Sequence, residues 1–302
     1  MPDGGGDTVC TLLSVFILGP LLSIPVESFL ARRGRSGDLM LSLRWWQEAS
    51  SSFLPAALRS LFLALLSSLA ALLIAIPAAS VTWLSNPQSR LSRGVSFLCM
   101  LPIISSGIVL SQAWLDIFGA ERKTPLILIA LLQASSALPF AFRAIHGALA
   151  AQGEGLRVQA EALGATPLRA LFSVGLPAAT AGLRSAFAFS MALCLGELNI
   201  VLMLADEGFV TLPVWIYRAT ASYRYGSACA AGSLLMLLCA LGSIIAAIIV
   251  GFLAARVAAS FAQQLRSRMF SRVDDFSMEE INRFSIASLI TRSTNDVTQV
   301  QM

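Results

Sequence analysis

Apolar residues in this chain do not alternate with polar ones at a strand period. They come in long, predominantly apolar blocks, at residues 9–31, 53–84, 94–118, 126–145 and 183–205, with a sixth starting near Ala228. A helix of roughly 20 apolar residues crosses a hydrocarbon core ~30 Å thick. Inside lipid, an unclosed backbone satisfies its own polar groups only as a helix. The pattern therefore predicts an all-α, polytopic membrane protein of about six transmembrane helices. Pro20 and Pro25 should kink the first block, and Pro77 the second, which is entered at Pro55. Neighbouring helices cover the carbonyls that such prolines free. In the third block Pro102, Ser105, Ser106, Gly107, Ser111 and Gln112 interrupt the apolar run. Small residues there permit close helix packing, or they line a pathway; both readings stay open. The fourth block holds Gln133 and Pro139, and the fifth holds Gly196, Glu197 and Asn199.

The polar stretches between the blocks carry the turn signals. A connection running to about Ser52 contains Trp45 and Trp46, read as headgroup-level anchors. Asn86-Pro87 marks a turn, and Glu121, Arg122 and Lys123 form another before Pro125. Residues 206–226 read as a polar loop with a short interfacial helix anchored by Trp215 and Tyr217. The same residues equally read as a headgroup anchor with no contact to a solute.

The most informative stretch is VQAEALGATPLRALFSVGLP, residues 158–177, within a loop of about 143–181. Gly164 should end one short helix in a left-handed cap. Thr166 reads as the next N-cap, with Pro167 at the first helical position. Leu168, Leu171, Phe172 and Gly175 then come at helical spacing as one mostly apolar face. These features predict a helix–turn–helix at the membrane surface.

Composition agrees with the pattern: 56% of the 302 residues are hydrophobic and 13% charged, with a mean hydropathy of +0.76. The single lysine is Lys123, so the phosphate-cradling GxxxxGK[ST] motif is missing, and ATP hydrolysis is assigned to another chain. The net charge of +4 fits membrane lipids. Without a basic stripe interleaved with aromatics, no nucleic acid is expected. Cys10, Cys99, Cys194, Cys229 and Cys239 have no ligand spacing, so no metal and no cofactor is expected. His146 stands alone near the end of a span and reads as structural. An acidic group at membrane depth is a functional candidate. Glu197 is therefore grouped with Gln112 and Asn199 as a possible pathway set, its alternative being a solvated helix end.

The 158–177 stretch resembles the EAA loop of permease subunits of bacterial ABC importers. Ala160, Gly164, Val174, Leu176 and Pro177 fall in register with that motif, while Val158 and Gln159 replace its opening Glu-Ala, with Glu161 as an offset substitute. Gly196-Glu197, Thr211-Leu212-Pro213, Tyr217 and Tyr223-Arg224 resemble the thiamine and ferric-iron branch. The resemblance covers about residues 10–240 and implies the second half of a double-length permease. It implies a multi-pass protein of the bacterial inner membrane, without enzymatic activity of its own, that moves ferric iron or thiamine by alternating access. The implied partners are a cytoplasmic ATPase dimer, a second permease half and an extracytoplasmic binding protein. Ala160, Glu161, Leu163, Gly164, Thr166, Pro167, Leu176 and Pro177 become the ATPase-coupling residues. Orientation rests on this resemblance alone. With the loop inside, the inner side holds Arg90, Arg93, Arg143, Arg157, Arg169 and Arg184, while Arg32, Arg33, Arg35, Arg44, Arg122, Lys123, Arg218 and Arg224 lie outside. The positive-inside rule asks for the opposite balance.

From about Leu241 the chain resembles the second membrane helix and first intracellular loop of an ABC exporter. Ser277 and Glu280 fit a capping box, and Glu279, Glu280, Arg283 and Phe284 form an exporter-like coupling segment. This divides the chain into residues 1–52 (first helix and connection), 53–240 (importer permease core of the ABC transmembrane type-1, MetI-like kind) and 241–302 (exporter-like extension). A junction near 239–244 is expected, from a gene fusion, a rearrangement or an assembly artefact. The alternatives to an importer permease are half of an exporter, or a truncated or chimeric chain without independent transport.

Overall fold

A computed structural model describes residues 4–33, 38–85, 89–118, 124–162 and 164–274. Helix α1 (Gly4–Phe29) leads into an antiparallel hairpin of β1 (Leu30–Arg33) and β2 (Asp38–Leu41), paired Leu30 to Leu41. The elements after the hairpin are helical: α2 (Arg44–Leu84), α3 (Arg90–Met100) with a 3-10 turn at Leu101–Ile103, α4 (Gly107–Phe118) and α5 (Leu126–Ala151). Next come α6 (Gly153–Ala162), α7 (Pro167–Ala170), a π-helical turn (Leu171–Gly175) and α8 (Leu176–Ala178). The chain continues through α9 (Thr180–Gly196), α10 (Asn199–Leu204), α11 (Leu212–Ala221) and α12 (Tyr225–Asp274). Among the described residues four helices are long and apolar enough to cross a membrane, or six if each of two bent pairs is one span.

The chain forms two compact units. Met1–Ala75, Phe97–Ala141 and Phe187–Ile244 make the first; Ile76–Ser96, Phe142–Ala186 and Ile245–Met302 make the second. The first unit packs on small residues: Ala64, Ala71, Ala130, Ala134, Ala137, Ala230 and Ala231 are all fully buried. Alanine lets backbones approach, which is how helices gain dispersion contacts where lipid removes the hydrophobic drive. A polar clamp fixes their register. Ser67 Oγ donates to the Leu63 carbonyl at 2.8 Å and lies 2.9 Å from Gln133 Oε1, and Gln133 Nε2 donates to the Cys194 carbonyl. The second unit is built around Phe142, Ile145, Leu149, Ala170 and Leu171, all buried.

Several expectations are corrected. The third span, 94–118, is not continuous: residues 104–106 break it, and its halves are bent by 96°. Pro102 lacks the N–H of a continuing helix, Ser105 Oγ donates to the Pro102 carbonyl at 3.3 Å in place of a helical N–H, and Gly107 has a high entropic cost in a helix. The fifth span breaks after Gly196 and resumes at Asn199. The connection to Ser52 is largely ordered as the hairpin and the start of α2. Trp45 and Trp46, expected as headgroup-level anchors, are half-buried and make contacts within the protein. Trp45 Nε1 donates to the Leu30 carbonyl at 2.9 Å, and Trp46 stacks on Phe29 and meets Phe53 edge-on. Phe53 in turn meets Trp215, which packs in the same cluster, while Tyr217 is exposed. The sixth helix starts at Tyr225, close to the expected Ala228, and runs unbroken through 239–244 to Asp274. The turns at Asn86-Pro87 and Glu121-Arg122-Lys123, and the segment Glu279, Glu280, Arg283 and Phe284, lie outside the described residues.

Candidate functional site

The loop of the second unit is built from its caps. Gly164 has φ +82°, its N–H donates to the Glu161 carbonyl at 2.9 Å, and Ala165 N–H reaches Ala160 O at 3.0 Å. This pair of bonds closes the end of α6, and only glycine adopts that backbone without strain. Thr166 is extended (φ −67°, ψ 153°) and its hydroxyl accepts from Arg169 N–H at 3.4 Å, with Pro167 at the start of α7. The expected helix, turn and helix are therefore present. The expected single apolar face is not. Leu171 and Gly175 are buried, whereas Leu168 and Phe172 are 62% and 66% exposed. Each pair is four residues apart and shares one row of the helix surface, and only the Leu171–Gly175 row meets the rest of the unit.

Two side chains tie this loop to the long helices. Arg157 Nη1 donates to the carbonyls of Trp83 and Leu84, at 3.0 and 3.2 Å, at the C-terminal end of α2. Those carbonyls have no partner within the helix and carry the negative end of its dipole, so a guanidinium suits them. Arg157 Nε also pairs with Glu161 at 3.5 Å. Gln152 Nε2, just after α5, donates to the Gly175 carbonyl at 3.0 Å. Ala160 is buried and Glu161 is exposed; Leu176 and Pro177 are half-buried at the start of α8; Leu163 lies outside the described residues. Val158, Leu168 and Phe172 are the large apolar side chains the loop leaves exposed.

In the first unit, Glu197 sits in the break between α9 and α10. Its Oε1 accepts from Asn199 N–H at 3.0 Å and from Ile200 N–H at 3.3 Å, capping α10. Gly107, the first residue of α4, lies against it: a Cβ there would stand 2.9 Å from Glu197 Oε1 and 3.1 Å from Ile200 Cγ1. The two helix breaks thus meet at Gly107 and Glu197. Gln112 is not part of this meeting; it is exposed and donates to Asp116 on its own helix at 2.8 Å. Asn199 joins Glu197 through its backbone.

Residues 71–259 match the family model of binding-protein-dependent transport system inner membrane components, and the chain belongs to this family of ABC importer permeases. Three individual proteins show how far the likeness extends. The chain is 26% identical over 236 residues to the thiamine transport system permease protein ThiP of Brucella suis biovar 1, covering 76% of this chain and 41% of that protein. It is 28% identical over 240 residues to the putative 2-aminoethylphosphonate transport system permease protein PhnU of Salmonella paratyphi A, covering 72% and 82%. Over 66 residues it is 42% identical to an uncharacterized ABC transporter ATP-binding protein of Mycobacterium tuberculosis, covering 22% of this chain and 10% of that one. The chain therefore spans a tenth of the length of the ATP-binding relative and about two-fifths of the thiamine permease. The fold resembles a chain of the inward-facing MetNI methionine ABC transporter, with a TM-score of 0.50 at 19% identity, over 71% of this chain and 98% of that one.

Arg157, Gln152, Trp83 and the Thr82–His146 pair escape a reading of the sequence alone. Arg157 and Glu161 stand four apart, which is a visible helical pairing, but nothing in the sequence places Arg157 under the end of α2. His146 does prove tied: its Nδ1 lies 2.9 Å from Thr82 Oγ1 and its ring stacks on Phe142 at 5.4 Å.

Proposed function

We propose that this chain is the permease subunit of a bacterial ABC importer of the inner membrane, through which a separate ATPase drives a small polar solute inward by alternating access. The observation that carries this is the 152–177 loop. It exposes Val158, Leu168 and Phe172 while Arg157 and Gln152 bind it to α2 and to the end of α5. An ATPase that grips the exposed residues moves those helices with it. An ATPase dimer, a second permease half and an extracytoplasmic binding protein are the partners this reading requires. For the solute, thiamine is the better fit of the two named relatives' substrates. Glu197 puts a carboxylate beside the two helix breaks, which suits a cation and opposes a phosphonate. Ferric iron has no support from the relatives named above.

The test is co-purification with the cognate ATPase. Leu168→Asp and Phe172→Asp should each abolish co-purification while membrane abundance stays unchanged, because a carboxylate in a dry interface is left unpaired. Retained binding in both variants would sink the docking role. A second reading, that residues 241–302 act as an exporter-like element, draws on their resemblance to an exporter's second membrane helix and on a family match that ends at 259.

A further inference from the structure

Helix α11 ends in a strained cap. Arg224 N–H donates to the Ala219 carbonyl at 2.9 Å, and Tyr223 N–H to the Thr220 carbonyl at 3.0 Å. Gly164 closes α6 with the same pair of bonds, from its own N–H to Glu161 and from Ala165 N–H to Ala160. Such a cap needs a left-handed residue just past the helix. In α6 that residue is glycine; in α11 it is Tyr223, at φ +59°. Among the described residues Tyr223 is the one non-glycine with a positive φ. A Cβ in this region crowds the backbone, which glycine avoids. Backbone strain persists only where surrounding contacts or function hold it. Packing does not hold it here: Tyr223 is 80% exposed, and its ring meets that of Tyr225, itself exposed, edge-on at 6.1 Å.

The elements beneath present that ring on a fixed base. Leu212, Pro213, Val214 and Ala219 of α11 are buried, and Leu212 N–H donates to Ser60 Oγ at 2.7 Å. A Cβ on Gly226 would overlap the ring of Trp45, so the start of α12 lies flush against α2. On this base α11 and its cap expose Tyr217, Arg218, Tyr223, Arg224 and Tyr225. Among the described residues neither guanidinium has a side-chain partner.

We propose that this Tyr–Arg surface docks an acidic face of an extracytoplasmic solute-binding protein, with Tyr223 as the inserted side chain. The side and the identity of the partner rest on the importer reading: with the 152–177 loop inside, one further span carries residues 211–226 outside. The chemistry rests on the surface itself. Tyrosine and arginine are the side chains that most often dominate protein interfaces. Held on a rigid base, they lose little freedom on docking. Two unpartnered guanidiniums call for carboxylates on the partner. The same charges repel a cationic solute, so the surface is not a solute site. Nor does it suit lipid. A helix lying in a membrane interface turns its aliphatic residues to the lipid, whereas α11 turns Leu212 and Val214 into the protein and exposes Tyr217, Arg218 and Thr220. A tyrosine anywhere in this turn would reach headgroups. Only a partner that needs the ring in one direction makes use of the left-handed backbone.

The full chain, assembled with its ATPase in phosphatidylcholine nanodiscs, is titrated with the purified solute-binding protein of the same transport system, at low and at high salt. The expected result is saturable binding that weakens with salt. Tyr223→Gly closes the cap without strain, so the unfolding temperature should not fall, while affinity should drop about ten-fold or more. Arg218→Gln combined with Arg224→Gln should weaken binding by a similar factor and remove most of its salt dependence. Arg44→Gln, whose charge already meets Glu48 at 3.3 Å, should leave binding unchanged. Equal affinity in Tyr223→Gly and the native chain overturns the proposal. So does self-association of the chain in detergent that Tyr223→Gly abolishes, which assigns the surface to a second copy. A lower unfolding temperature in Tyr223→Gly with unchanged affinity assigns Tyr223 to the lipid or the fold, and also overturns it. If the native chain holds its ATPase but not the binding protein, this surface falls and the coupling loop stands; if it holds neither, the importer reading falls too.

Discussion

Gly164 is the residue at which backbone conformation most constrains the loop. At φ +82° nothing lies within 4 Å of where a Cβ would be, so the constraint is conformational and not steric crowding. A β-branched residue there costs about 1–2 kcal/mol. Gly164→Val should shift the cap, lower ATP-coupled uptake in proteoliposomes severely and leave membrane abundance intact. Gly164→Asn, which tolerates the left-handed region, should retain most uptake. Equal uptake by the valine variant and the native chain would remove the loop from the mechanism. Glu197 makes a different case. Its Oε1 caps α10 through two N–H groups, and glutamine keeps an acceptor at that place. Glu197→Gln should therefore preserve abundance, and any drop in solute uptake reports the lost charge. If uptake also stays unchanged, Glu197 is a helix cap and nothing more.

At the scale of elements, the broken spans define the first unit. Two unwound segments meet where Gly107 approaches Glu197, and a side chain at 107 must push one of them away. Gly107→Val should separate α4 from α10 and lower the unfolding temperature in detergent, by an amount equivalent to about 1–3 kcal/mol. A stability equal to the native chain's would show that the two breaks are not packed. The end of α9 has its own device. Glu197 N–H reaches the Cys194 carbonyl only at 3.4 Å, and Gln133 Nε2 supplies that carbonyl with a second, shorter bond. Gln133→Leu should cost about 1–2 kcal/mol in the same assay, the range of interhelical hydrogen bonds in membranes. Ser67→Ala should cost less, since Gln133 keeps its bond to Cys194.

For the whole molecule, α12 sets the question. Its 50 residues extend about 75 Å at 1.5 Å per residue. Tyr225–Ile245 is by itself long and apolar enough for a span, so the whole helix is longer than a ~30 Å core requires. The family match ends at 259, inside that helix. A chain ended after Ser260 should therefore insert, bind the ATPase and transport as the full chain does, measured by co-purification and uptake. Loss of ATPase binding with normal insertion would make residues 261–302 the true coupling element and displace the 152–177 loop from that role.

The sequence by itself determined the all-α membrane class, the approximate positions of the spans and the caps at Gly164 and Thr166. These come from local quantities: block length against bilayer thickness, a left-handed backbone and a side-chain acceptor beside the first free N–H. The family resemblance, legible from residues 160–177, is borne out by the match over 71–259. Tertiary structure decided everything that needs a partner distant in the chain. It broke the third and fifth spans, because a break is tolerated only where other groups satisfy the freed backbone, as Gln133 does for Cys194 across 61 positions. It packed the half-buried Trp46 and Trp215 against the buried Phe53, a pairing that no local pattern marks. And it set Arg157 against the carbonyls of Trp83 and Leu84, more than seventy positions away, where charge and helix dipole meet only after folding.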